Sequence, residues 1–431
     1  MVNLEEKKER HLLVGVNLKK DDQDTQELML ELEELDRAAG AIPVKIITQS
    51  RDSYDSRTVL GKGKVEEIAD LVNHLEIDAV VFNDELSGSQ LRNLEEIIGC
   101  KILDRTTLIL DIFASRARSK EGQYQVKLAQ MKYRLPRIIG YSDYLSRTGG
   151  GIGTRGPGEQ KLETDRRHVL REIRAVEQQL LKIETTRQTN RKKRQGQTIP
   201  IIALVGYTNT GKSTILNRML ELSGDETPKY VLAQDMLFAT LDASLRTMKL
   251  NQTLPVIVSD TVGFVSQLPT HLVNAFKSTL EELYDADLIV HVLDASSDNV
   301  TLQAQTTEKI LDDMGVLDKK ILTVFNKMDL KENRDSVLYS QQFEDRIFIS
   351  ALNDDDMKRL IDKMVLLVTE DYKQTEFKFP FESMKYFDYF ANRYDLENVV
   401  YDEFGVTFRT FVNQEDRQRF KEYINHESSI N

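Results

Sequence analysis

The densest chemistry in the chain lies in eight consecutive residues, Gly206-Tyr207-Thr208-Asn209-Thr210-Gly211-Lys212-Ser213. Glycines let backbone N–H groups approach an anion, Lys212 adds a compact positive charge, and Ser213 offers a hydroxyl to a divalent cation. The set fits G-x-x-x-x-G-K-[ST], the loop that cradles nucleotide phosphates, and Thr214 carries it into a helix-forming stretch. Downstream, Asp260-Thr261-Val262-Gly263 supplies a carboxylate for Mg²⁺ from the opposite side and a glycine amide for a γ-phosphate. Asn326-Lys327-Met328-Asp329 selects the base. A fixed carboxylate at Asp329 accepts hydrogen bonds from guanine N1–H and the 2-amino group, whereas adenine would leave it unpaired. Ser350-Ala351-Leu352 completes the order with a backbone amide within reach of guanine O6. Between the first two motifs a threonine would close the Mg²⁺ shell when the γ-phosphate is present: Thr240, in Phe238-Ala239-Thr240-Leu241-Asp242, has Thr227 and Thr247 as rivals, and is favoured over them once the resemblance given below is counted. Lys212, Thr240 and Gly263 are therefore the candidate catalytic groups. Ser213, Thr240 and Asp260 are the candidate metal ligands, and the expected ligands are GTP or GDP with Mg²⁺.

Such loops work only when strands and helices hold them, and the flanking sequence provides these. Apolar runs at Ile201–Val205, Val256–Val258 and Ile321–Phe325 precede the three main motifs, Arg346–Ile349 precedes the fourth, and Thr214–Leu222 reads as the helix after the first. Residues 198–371 are thus expected to form an α/β P-loop GTPase domain. Before it, residues 1–104 alternate short apolar runs (His11–Leu18, Val44–Thr48, Asp78–Phe82, Lys101–Leu103) with helical stretches at Thr25–Ala39 and Leu86–Ile98, which predicts a small α/β domain with a mostly parallel sheet. Within it, Gly61-Lys62-Gly63-Lys64 opens a helix over Val65–Leu75, either as an anion site or as a plain turn into the helix. After the P-loop domain, residues 372–431 combine many aromatics with a strand at Val406–Val412 and a polar helix over Glu415–Ile424, a small α+β domain whose role the sequence does not give.

Residues 105–197 read differently. A helical stretch to Arg134 is followed by a second helix over Glu159–Arg194, where Val169, Ile173, Val176, Leu180 and Ile183 trace a coiled-coil seam. Between them, Gly149-Gly150-Gly151-Ile152-Gly153-Thr154-Arg155-Gly156-Pro157-Gly158 is too rich in glycine for a helix or strand interior. This run is either a linker or a loop that follows an RNA or nucleotide surface closely, flanked by Arg147, Arg155, Lys161, Arg166 and Arg167. The chain carries a net charge of −12, which alone would repel a polyanion, yet Arg116–Arg194 holds 20 Lys and Arg against 8 Asp and Glu. Hydrophobic content of 40% with 30% charged residues and no long apolar run argues against membrane insertion. A single cysteine, Cys100, and the absence of an apolar leader favour the cytoplasm.

The run Gly149 to Arg167 (GGGIGTRGPGEQKLETDRR), with Gly61-Lys62-Gly63-Lys64 and Phe238-Ala239-Thr240-Leu241-Asp242, closely resembles the HflX family of ribosome-associated GTPases over nearly the whole chain. The resemblance implies a factor, expected to be monomeric, that binds the large ribosomal subunit and its rRNA in the GTP form and splits stalled or idle ribosomes. A GTPase of ribosome assembly or RNA modification would share the nucleotide motifs and lack the glycine-arginine run. A non-enzymatic RNA-binding module would not need Lys212, Ser213, Asp260 and Thr240. Where many small GTPases orient water with glutamine, this chain has Phe264, so intrinsic hydrolysis is expected to be slow and stimulated by the ribosome. Asn209 matches an asparagine that in related GTPases helps bind K⁺; the alternative is an incidental polar loop residue.

Overall fold

The computed structural model describes residues 8–19, 25–148, 157–195, 199–223, 244–251, 254–261, 263–266, 282–297, 299–330, 344–391, 393–394 and 396–427. The chain divides into two compact units. The first gathers residues 1–189, 234–242 and 262–279, and the second gathers 190–233, 243–261 and 280–431.

In the first unit, β1 (Arg10–Leu18), α1 (Thr25–Ala38), β2 (Ile42–Arg51), α2 (Lys62–Leu75), β3 (Ala79–Phe82), α3 (Gly88–Ile98) and β4 (Lys101–Asp104) alternate. The four strands form a wholly parallel sheet in the order β2-β1-β3-β4. Leu12, Val14, Val80 and Phe82 pack beneath α2 and α3 through Val65, Ile68, Val72, Leu94 and Ile98, and Leu13 and Val81, which point to the opposite face, are buried as well, as strand–helix alternation predicts. Helix α3 starts on a capping box of Ser87 and Gln90 and stops at Gly99, whose φ of +79° glycine adopts without cost. Helix α2 takes in Lys62-Gly63-Lys64 as its first turn, so the expected start at Val65 was three residues late. Cys100 packs against this core, and burial pushes its thiol up, as suits a small core residue.

The arm follows as α4 (Arg105–Arg116), α5 (Lys120–Thr148) and α6 (Pro157–Gln195). Proline at the first position of α6 is well placed, since no hydrogen bond is asked of its nitrogen there. Leu128 and Met131 of α5 share an apolar cluster with Ile173 and Val176 of α6, flanked by Val169 and Leu180, while Ile183 lies outside it. Lys132 and Glu177 pair across the two helices at 2.9 Å. Helix α5 is held near its middle by the fully buried Asp104. Asp104 caps α4 through Thr107 and accepts from the Leu86 N–H, Tyr133 Oη and Arg137 Nη2. The run 149–156 lies outside the described residues.

The second unit holds β5 (Ile201–Gly206), α7 (Lys212–Leu222), β6 (Ser244–Leu250), β7 (Leu254–Asp260), α8 (Glu282–Asp285), β8 (Leu288–Asp294), α9 (Val300–Asp313), β9 (Lys320–Asn326), β10 (Arg346–Phe348) and α10 (Asp354–Thr369). Its sheet runs β10-β9-β8-β5-β7-β6, parallel except for β6 against β7. Strand β5 is central, and chain order departs from it in both directions. A doubly wound sheet places its ligand crevice at such a switch point, beyond the carboxyl ends of the strands, which is where Gly206, Asp260 and Asn326 stand.

A third, antiparallel sheet closes the chain with β11 (Lys373–Pro380), α11 (Met384–Ala391), β12 (Glu397–Asp402), β13 (Gly405–Val412), α12 (Gln414–Arg419) and β14 (Ile424–Glu427), ordered β12-β13-β11-β14. The polar helix expected to reach Ile424 ends at Arg419. Phe420 turns into the aromatic core around Phe377, Phe379, Phe390 and Phe408, and Ile424 starts a strand.

Candidate functional site

The P-loop joins β5 to α7, and its conformation dictates its composition. Gly206 has φ +147°, and a Cβ there would meet Val292 O at 2.2 Å; Gly211 has φ +95°, and its Cβ would meet Asn326 Nδ2 at 2.3 Å. Asn209 sits at φ +62°, a left-handed value asparagine tolerates better than most side chains. Thr210 Oγ1 donates to Tyr207 O at 3.0 Å and tightens the loop. Lys212 is buried, with Nζ donating to Gly206 O at 3.0 Å and to Tyr207 O. Burial lowers its pKa to about 8, against the pull of Asp260, so this ammonium is poised to gain from an arriving anion.

Ser213 Oγ donates to Asp260 Oδ2 at 2.8 Å. A hydroxyl from the start of α7 and a carboxylate from the end of β7 thus converge, two hard oxygen donors of the kind Mg²⁺ prefers. Among the described residues no group of three or more His, Cys, Asp or Glu could hold a metal. A site with one carboxylate and one hydroxyl, completed by phosphate oxygens, fits Mg²⁺, which takes few protein ligands. Thr261 Oγ1 donates to Leu204 O at 2.7 Å and fixes the end of β7 to β5. Thr240 and Val262 lie outside the described residues; Gly263 and Phe264 are described, and belong to the first unit.

Asn326, at the end of β9, clasps two loops. Its Nδ2 donates to Thr210 O at 2.8 Å, and its Oδ1 accepts from the Ala351 N–H at 3.0 Å. Lys327 follows in a left-handed conformation at φ +62°, its Nζ 2.8 Å from Asp294 Oδ2. Asp329 stands exposed in a short 3₁₀ turn, Met328–Leu330. The Ser350 N–H donates to Asp356 Oδ2 at 2.8 Å, Ser350 Oγ accepts from the Leu352 N–H, and Asn353 caps α10, which opens on Asp354, Asp355 and Asp356. The P-loop, Asn326 and the Ser350–Leu352 loop are therefore one bonded assembly.

Two residues here escaped the sequence reading. Asp294 braces Lys327 and turns β8 through Ser296. His291 is buried in β8, and desolvation with the nearby Lys212 charge drives its pKa down to about 3, so it stays neutral. An aspartate at the carboxyl end of a core strand was the available signal for the first; a lone histidine in an apolar strand gave none.

The flanking basic residues are distributed along the arm. Arg147 lies in α5 and Lys161 in α6, while Arg155 lies outside the described residues. Arg166 and Arg167 are exposed on α6, with Glu163 3.7 and 3.0 Å away respectively. Among the described residues no helix is long and apolar enough to cross a membrane.

Family models match along the chain: a GTP-binding GTPase N-terminal model over residues 26–114, a GTP-binding GTPase middle region over 116–194, and a 50S ribosome-binding GTPase model over 201–327. GTPase HflX of Caldanaerobacter subterraneus subsp. tengcongensis is 43% identical over 98% of this chain and 96% of its own. GTPase HflX of Alkalihalophilus pseudofirmus is 45% identical over 82% of this chain and 81% of its own, and that of Escherichia coli 41% over 72% and 71%. A solved GDP complex of SsGBP is 25% identical and aligns over 84% of this chain and 99% of that one, with a TM-score of 0.49. The nucleotide loops in order, the basic arm and full-length identity of this degree converge: the chain belongs to the HflX family and is a GTP-hydrolysing enzyme.

Proposed function

We propose that this GTPase binds the large ribosomal subunit in its GTP form, parts stalled or idle ribosomes into subunits, and leaves after hydrolysis. The observation that carries the reading is the charge distribution. A chain of net charge −12 concentrates 20 Lys and Arg against 8 Asp and Glu in Arg116–Arg194, on the helical arm where Arg166 and Arg167 are exposed. Such a segment suits an RNA phosphate surface. The 50S ribosome-binding description of the matching GTPase model supports the same partner.

In this reading Gly206–Thr214 and Lys212 cradle the phosphates, Ser213, Asp260 and Thr240 hold Mg²⁺, Gly263 meets the γ-phosphate, and Asn326, Lys327, Asp329 and Ser350–Leu352 hold guanine. Mg²⁺ supplies charge neutralisation at the β and γ oxygens. The chain's own residues position the nucleotide and exclude adenine. Phe264, which is 3% exposed, can neither orient nor deprotonate water, so the unstimulated rate is low. Asn209 is the residue proposed to hold K⁺, which would supply the charge an arginine finger provides elsewhere. Arg147, Arg155, Lys161, Arg166 and Arg167 are the proposed ribosomal RNA contacts, and the protein is expected to act as a cytoplasmic monomer. Cosedimentation with ribosomes tests the reading: pelleting with a non-hydrolysable GTP analogue and much less with GDP or without nucleotide is expected, while equal pelleting in all three states would contradict it.

A further inference from the structure

The loop assigned to the base contains a strained residue, and a carboxylate from the neighbouring strand grips it. Lys327 lies at φ +62°, a conformation costly for a residue with a Cβ, and lysine lacks the short polar group with which asparagine bonds its own backbone there. It sits between Asn326, which bonds Thr210 O and the Ala351 N–H, and Met328-Asp329, which carries the carboxylate assigned to guanine. Main-chain bonds hold both flanks. The Ala295 N–H donates to Asn326 O at 2.8 Å, the Met328 N–H to Ile349 O at 3.2 Å and the Leu330 N–H to Lys327 O at 3.0 Å. Among the described residues the Lys327 side chain has one polar partner, Asp294, with Nζ 2.8 Å from Oδ2. All of these groups belong to the second unit.

Asp294 is itself fixed. It is the last residue of β8 and stands in register with Asn326, the last residue of β9. Its other oxygen, Oδ1, accepts from the Ser296 N–H at 2.9 Å and from Ser296 Oγ at 2.6 Å. The side chains of Lys327 and Asp294 are 24% and 14% exposed, so solvent screens this pair less than it screens a surface pair. A strained backbone persists only where its surroundings hold it. Without the pair, Lys327 is free to relax toward negative φ. Asp329 stands two residues on, in the short 3₁₀ turn, so rotation at Lys327 swings that carboxylate off the base.

We propose that Asp294 is a positioning residue for guanine recognition, which pins Lys327 in its left-handed conformation and so presents Asp329 to the base. The proposal rests on the assignment of Asp329 to guanine. Asp294 needs no contact with nucleotide to act: it works through the lysine, and its loss falls on the choice of base rather than on the grip of the P-loop.

The test uses the full-length protein with Asp294→Asn and Lys327→Gly, singly and together, and Asp329→Ala alongside. Asparagine keeps the oxygen that Ser296 bonds and loses the charge that holds the lysine. Glycine adopts the positive φ without strain and leaves Asp294 nothing to hold, so it reports even if Asp294→Asn impairs folding. The readouts are melting temperature and equilibrium affinities for GDP and for inosine diphosphate, which lacks the 2-amino group that the Asp329 carboxylate meets. In both single variants the preference for GDP over inosine diphosphate should narrow about threefold or more, because a displaced carboxylate no longer tells the two bases apart. The double variant should lose no more preference than the worse single, because both act through one contact. A preference within about twofold of the parent in either single variant would overturn the proposal, whatever the melting temperature does, because a purely structural pair weakens both nucleotides alike. If Asp329→Ala itself keeps the preference, the base assignment fails and takes the proposal with it. If Asp329→Ala loses the preference while Asp294→Asn and Lys327→Gly keep it, only the positioning role fails.

Discussion

The nucleotide loops and the basic arm solve recognition in opposite ways. In the nucleotide loops the buried polar groups are tied to fixed partners: Asn326 is bonded to two loops at once, Ser213 to Asp260, and Lys212 to the carbonyls of its own loop. Along the arm, Arg166 and Arg167 are exposed on one helix face with a single glutamate beside them. A ligand of fixed shape rewards buried, preorganised groups, because an unmet donor or acceptor there is costly. An extended polyanion rewards exposed, mobile charge, because counterion release does not require one geometry. Damage should therefore be sharp and specific in the loops, and graded and salt-dependent on the arm.

The largest effect should come from Asp329→Asn. An amide cannot accept both guanine donors but can donate to the 2-oxo group of xanthine, so GTP affinity should fall on the order of 100-fold and xanthosine triphosphate should bind better than GTP. Equilibrium titration with both nucleotides checks this, and unchanged GTP affinity would move the base site elsewhere. Replacing Arg155, Arg166 and Arg167 together by alanine should weaken ribosome binding about tenfold and flatten its salt dependence. GTP affinity of the isolated protein should not change. A parallel loss of both would erase the contrast between the two regions.

A smaller effect concerns pH. In the free protein Lys212 loses its proton near pH 8, because burial disfavours the ammonium. Bound phosphates favour the ammonium, so binding takes up a proton above that pH. Affinity should be flat below pH 8 and fall about fivefold between pH 8 and 9, and Lys212→Arg, which cannot deprotonate, should remove that slope. The smallest expected effect belongs to Asn209: hydrolysis should run a few-fold faster in KCl than in NaCl at equal ionic strength, where general screening is the same. Equal rates would remove Asn209 from the mechanism.

Local features of this chain were legible because their causes are local. The positive φ of Gly206 and Gly211 demands glycine, so the P-loop shows in the letters, and apolar runs such as Ile201–Val205 show the strands that bear it. Fold class followed from such runs and the family from the resemblance carried by Gly149–Arg167, Gly61–Lys64 and Phe238–Asp242, and full-length similarity to HflX GTPases bears both out. What stayed hidden is long-range. Nothing near Asn326 says that it reaches Thr210, nor does anything near Arg105 or Glu31 say that they meet at Ser266. Helix ends were blurred where tertiary packing overrode pattern, as at Phe420, which leaves a polar helix for an aromatic core.

The central claim is that the γ-phosphate, read in the nucleotide loops, governs what the arm does at the ribosome. Subunit splitting followed by light scattering tests it directly with GTP, a non-hydrolysable analogue and GDP. Splitting with GTP and with the analogue, and little with GDP, is the result predicted. Equal splitting with GDP and with the analogue would contradict the account even if ribosome binding and GTP hydrolysis were both observed.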